Sequence, residues 1–168
     1  MPIVDVLVLA AMYTLRIFAG ALAIGVSVSS WLLAFSMFLF LSLAFLKRYN
    51  ELRALSTDDG VPSQESLAGR SYRRSDLEMF LAVGPASGYL AVLVLALYIE
   101  SPQVVSLYSN QQALWLLCPL LLYWVTRLWF LVHRRGIHHD PVAFALKDPA
   151  SWGVAILSAL VLWAGIRL

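Results

Sequence analysis

Five apolar runs, each near the length needed to cross a bilayer, constrain this chain more than any other feature. A membrane-crossing helix needs about 20 mostly apolar residues, because in hydrocarbon every backbone polar group must be satisfied within its own segment. Runs at 3–26, 31–46, 79–99, 113–132 and 152–166 fit, the second and fifth by borrowing flanking residues. Composition agrees: only 13% of the residues are charged and 61% are hydrophobic, against about 25% charged in soluble domains. We therefore expect an all-α integral membrane protein, a single membrane domain over 1–168. The first run is too long for a signal peptide and has no basic stretch before it.

The cations sort the connections. Lys47, Arg48, Arg53, Arg70, Arg73 and Arg74 fall in 47–75, and Arg134, Arg135 and Lys147 in 133–148. The connections at 25–30 and 100–112 hold no Lys or Arg. Basic loops stay inside. The N-terminus and the 47–75 and 133–148 loops are thus expected in the cytoplasm, in a multi-pass protein of the cell (inner) membrane. A net charge of +2, clustered at the ends of apolar runs, gives no reason to expect a nucleic-acid partner. The lone Cys118 cannot form an intrachain disulfide. Trp31, Tyr98, Tyr108, Trp129 and Trp152 end runs and are expected near headgroups. Gly84 and Gly88, around Pro85, permit close helix contact.

Between the second and third runs the chain turns polar. Residues 56–63, with Asp58 and Asp59, read as a turn, and 63–68 as a short helix. Ser75 with Glu78 reads as a capping box for the third run.

Polar residues at or inside the runs are the candidates for chemistry. At Leu46–Arg53 an apolar run meets water. If its helix continues, Lys47, Asn50 and Glu51 share one face, and Tyr49 and Arg53 share another. A cation, an amide and a carboxylate projecting together suit an anionic, phosphorylated ligand at the membrane surface. A helix end whose cations offset the dipole and obey topology reads the same way. Arg16 lies inside the first run, with Tyr13 one turn away. A charge at that depth is costly and should face the bundle interior, a carboxylate or a polar cavity; we expect a cavity shared with Lys47 and Arg127. Tyr123, Arg127 and Arg134 make a stripe along the fourth run. Arginine suits bidentate phosphate binding, and topology alone also places it there. His133, His138, His139 and Asp140 match no standard zinc spacing, so no metal ligand is assigned. No Gly-rich phosphate loop or nucleophile elbow is present.

Four stretches resemble the UbiA superfamily of intramembrane prenyltransferases. They are PIVDVLVLAAMYTLRIFAG at 2–20, FLFLSLA followed by KRYNEL at 38–52, SGYLAVLVLALYI at 87–99 and LLCPLLLYW at 116–124. The decaprenyl-phosphate phosphoribosyltransferase branch, some of whose members are fused to a soluble domain, is the most similar. The resemblance implies that these five helices match the last five of a nine-helix fold. The chain would then be the C-terminal part of a longer transferase, incomplete alone.

The family's first aspartate motif has no counterpart here, and Lys47, Arg48, Tyr49 and Glu51 stand where the second usually lies. The resemblance further implies a polyprenyl phosphate or diphosphate as lipid substrate, and a small diphosphate-bearing co-substrate, phosphoribosyl diphosphate in this branch. It also implies Mg2+, held by carboxylates of the missing N-terminal half. Arg16, Lys47, Arg48, Tyr49, Asn50, Glu51 and Arg127 would bind the phosphate or diphosphate groups. The alternative is a non-catalytic five-helix membrane protein or a degenerate remnant.

Overall fold

The computed structural model describes residues 3–26, 28–56, 72, 75–102, 104, 108, 110–135 and 147–167. All regular structure among them is helical: α1 (Val4–Ala23), α2 (Ser30–Ser56), α3 (Asp76–Ile99), α4 (Gln111–Leu114), α5 (Leu117–Arg135) and α6 (Pro149–Arg167). Five of these helices are long and apolar enough to cross a membrane, so the chain is a multi-pass membrane protein. The expected runs survive with shifted ends. α2 is the largest departure, because it does not stop at residue 46 but runs 27 residues to Ser56. At 1.5 Å per residue it is about 40 Å long, beyond a hydrocarbon core of about 30 Å. It continues because the polar residues after Leu46 find partners on other helices.

Each helix leans on its neighbours in chain order. α2 packs against α1 and α3, α3 against α5, and α5 and α4 against α6. The core divides in two. At the end holding the N-terminus, Val6, Leu46, Phe80, Leu128 and Val132 are fully buried. At the other end Ile99, Val104 and Leu114 form a smaller cluster. Elsewhere large apolar side chains stay exposed, among them Leu15, Leu22, Phe130 and Trp163. That is expected where the solvent is lipid.

Gly84 and Gly88 mark the close approach of α3 and α5. A Cβ on Gly84 would stand 2.1 Å from Trp129 Cζ2, and one on Gly88 2.5 Å from Val125 Cγ1. Trp129 cannot yield easily: it is buried, and its Nε1 donates to Ser42 Oγ at 3.1 Å. The headgroup position expected for Trp129 is therefore corrected, since its indole seals a helix junction instead. Gly84→Ala should cost about 1–3 kcal/mol, the range for overpacking. Gly20→Ala, with nothing within 4 Å of its new Cβ, should be neutral or stabilising. Thermal unfolding of the two variants in detergent tests the contrast; equal midpoints would refute it.

The capping box expected at Ser75 does not form. Ser75 has helical backbone angles, φ −59° and ψ −23°, and makes no side-chain cap bond. The expected helix at 63–68, Asp58, Asp59, Arg70, Arg73, Arg74, His138, His139 and Asp140 lie outside the described residues.

Candidate functional site

The last three turns of α2 gather the polar groups of one end of the bundle. On one side Arg48 reaches toward α1. Its Nε lies 2.7 Å from Asp5 Oδ2, and its Nη1 bonds Glu51 Oε2. The Asp5 contact is an ion pair without hydrogen-bond alignment, since neither atom has an aligned partner. Tyr72 closes the cluster: its hydroxyl donates to Asp5 Oδ1 and accepts from the Ile3 N–H at 2.8 Å. Burial, and then the bond to Asp5, push the Tyr72 phenol up to about 12. It therefore stays a neutral donor. The grip falls where the backbone is strained, since Ile3, a β-branched residue, has φ +77°.

On the other side Tyr49 and Arg53 face α5, as their spacing predicts. Tyr49 OH and His133 Nδ1 share a hydrogen bond of 2.9 Å. Arg53 Nη1 donates to the carbonyls of Val132, at 2.7 Å, and His133. The Tyr49 ring packs on Trp129, centroids 6.0 Å apart. Asn50 is buried in the same helix.

Lys47 lies beside α1. It lines a small cavity with Leu9, Tyr13, Phe40, Leu43 and Ala44. Tyr13 stacks on Phe40, and the Arg16 guanidinium sits over the Tyr13 ring, 5.3 Å from its centroid. Tyr13 thus shares a cavity wall with Lys47 and carries Arg16 over its ring. Arg16 is on the outward side of α1, and among the described residues its recorded partner is that ring.

Arg127 keeps different company. Its Nη2 donates to Asp148 Oδ1 at 3.1 Å and its Nη1 to Oδ2, a bidentate pair. The same Asp148 caps α6, accepting from the Ser151 N–H at 3.0 Å and from its hydroxyl at 3.1 Å. Trp124 Nε1 reaches that hydroxyl from α5 at 3.0 Å. The cavity expected to join Arg16, Lys47 and Arg127 is thus corrected: Lys47 lines a cavity with Tyr13, Arg16 sits against that ring from the exposed side of α1 and is not part of that lining, and Arg127 fastens α6 to α5. The Arg127 hydrogen bonds hold the Asp148 carboxyl below the usual carboxylate range. A depressed pKa adds stability above the unfolded value, and that stability is lost as pH falls through the folded one. Thermal midpoints should therefore drop below about pH 4. Asp148→Asn should lower the midpoint at neutral pH and flatten that acid limb; an unchanged limb would refute the assignment.

Reading residues in isolation missed Asp5, Tyr72 and Asp148. Two signals were present. Asp148-Pro149 with Ser151 at the third helical position is an N-cap pattern. Asp5 is an acid in the first turn of a helix. For a magnesium ion the described residues offer no set of three His, Cys, Asp or Glu. Asp5 and Glu51 both flank Arg48, and Asp148 is held by Arg127. These residues do not fit the ion.

No family model matches the chain, and no solved structure matches it. Two curated relatives do. An uncharacterized protein, y4nM, of Sinorhizobium fredii is 37% identical over 164 residues, covering 95% of this chain and 31% of the relative. The nodulation protein NoeC of Azorhizobium caulinodans is 36% identical over 154 residues, covering 89% of this chain and 47% of the relative. The chain therefore spans less than half of the length of these relatives, and nearly all of it takes part in the likeness.

Proposed function

We propose that these five helices belong to a UbiA-like membrane transferase acting on a polyprenyl phosphate or diphosphate. In the reaction we favour, a phosphate oxygen of the lipid attacks C1 of phosphoribosyl diphosphate. The bond from C1 to the diphosphate breaks, and the products are a polyprenyl phosphoribosyl phosphate and free diphosphate. The observation that carries the reading is Lys47 at the seam of α1 and α2, lining a cavity with Tyr13, whose ring carries the Arg16 guanidinium. A positively lined seam beside hydrocarbon suits a phosphate carried on a lipid, and fixed cations stabilise a departing diphosphate.

Arg48 and Glu51 would border that site, with Arg48 oriented by its two carboxylates, while Tyr49 and the buried Asn50 would fix the helix that carries them. Arg127 would brace α6. The polar end faces the cytoplasm in this reading, because the basic connections lie there. The magnesium that the resemblance implies would be held by carboxylates from outside this chain.

The test is saturable binding of radiolabelled polyprenyl phosphate to the full chain in nanodiscs. Phosphoribosyl diphosphate should alter that binding, and Lys47→Gln should weaken it. Binding no greater than to empty nanodiscs would overturn the reading. One observation favours a non-catalytic membrane component instead: Arg48 already faces two carboxylates of its own chain. On that view the lipid phosphate does not bind, and Lys47→Gln changes nothing.

A further inference from the structure

A second groove lies between α3 and α5, lined by different residues from the α1–α2 seam. It encloses about 330 Å³, with Pro85 and Tyr89 on one wall and Thr126, Trp129 and Phe130 on the other. Tyr89 and Phe130 are 41% and 56% exposed, so the groove opens outward to the bilayer. Its two hydroxyls satisfy each other, Tyr89 OH lying 3.1 Å from Thr126 Oγ1. The interior therefore asks for no polar ligand and suits a hydrocarbon chain.

The rim is different. His133 lines the groove where α5 ends. Arg134 holds its guanidinium over the Phe130 ring, 5.7 Å from the centroid. Thr126 and Arg134 are eight residues apart on one helix, about 12 Å along its axis. That separation sets a cation one short stretch of acyl chain away from the apolar floor.

We propose that this groove is a binding site for an anionic glycerophospholipid of the surrounding bilayer. One acyl chain lies along Pro85 and Phe130, and the headgroup phosphate meets Arg134. The occupant follows from charge complementarity. Among the described residues no carboxylate pairs with Arg134, and basic positions where membrane helices end attract anionic headgroups. The inference does not rest on the transferase reading, since neither Lys47 nor Arg16 lines this groove.

Native mass spectrometry of the full chain from detergent tests it, with phosphatidylglycerol and phosphatidylcholine of identical acyl chains as probes. Phosphatidylglycerol should be retained about fivefold better, the worth of one cation near the surface. Arg134→Gln should bring it to the phosphatidylcholine level. Leu81→Trp, which fills the groove, should remove both lipids at an unchanged thermal midpoint. Should Leu81→Trp fail to fold, Arg134→Gln on the exposed rim decides alone. Lys47→Gln should leave phosphatidylglycerol retention intact. Equal retention of the two lipids, or indifference to Arg134→Gln, would overturn the site. So would displacement by inorganic phosphate, loss of the lipid in Lys47→Gln, or a dimer of the chain that Leu81→Trp dissolves.

Discussion

Arg48→Leu should destabilise the protein by about 1–3 kcal/mol, between the worth of a surface pair and the cost of breaking a buried one, since the Asp5 side chain is 30% exposed. Arg48 is 11% exposed in its side chain and stands between Asp5 and Glu51. Without it, Asp5 is left with the Tyr72 hydroxyl as its recorded partner, and a half-buried carboxylate loses its counter-charge. The two acids should not matter equally. Glu51 is 37% exposed, so Glu51→Gln should cost under about 1 kcal/mol, as surface pairs do. The double replacement Asp5→Leu with Arg48→Leu should recover most of the loss, because a buried pair is often replaceable by packed apolar groups. Unfolding in mixed detergent, followed by circular dichroism, reads all four proteins. Were Arg48→Leu no worse than Glu51→Gln, the cluster would not hold α1 to α2.

If the proposed transferase reading holds, Lys47→Gln should lower turnover about 30- to 1000-fold. That is the loss of one electrostatic donor, about 2–4 kcal/mol of transition-state stabilisation. Lys47→Arg should fall between, since a planar fork replaces a point charge. Thermal midpoints of both variants, measured alongside, separate a lost contact from a lost fold. On that reading neighbouring positions differ in role: Arg48 holds α1 to α2, and Lys47 would serve turnover. If Lys47 merely obeys the topology rule, both variants turn over within about threefold of wild type at saturating donor, with an unchanged KM. That result would remove Lys47 from the site.

Helix number and position were legible in the sequence because hydrophobic length is a property of each segment alone. The two faces of the Leu46–Arg53 stretch were legible for the same kind of reason: i, i+4 spacing is local, and Tyr49 with Arg53 duly meets α5. Contacts joined only by the fold were not. Nothing near Arg48 announces Asp5, more than forty residues earlier, and nothing near Arg127 announces that Asp148 caps the next helix. Arg16 shows the limit from the other direction. Its cost in hydrocarbon signals a partner, and Tyr13 is the local part of the answer. That Tyr13 also lines the Lys47 cavity emerges only when α1 lies on α2. Trp129 was misjudged because aromatic belts and buried aromatics look alike until Gly84 supplies the notch.

The unbroken course of α2 has a genetic consequence. Ser42, which receives the Trp129 indole, and Tyr49, which meets His133, stand on one rigid rod. Inserting or deleting a single residue between them would rotate everything beyond by about 100°, given 3.6 residues per turn. Tyr49 and Arg53 would swing off α5 while Arg48 swung off Asp5, and no loop intervenes to absorb the error. Substitutions in this interval can be repaired one contact at a time, but a frame-preserving codon gain or loss cannot. Length variation among descendants of this gene should therefore fall in the connections and spare the interval from 42 to 53.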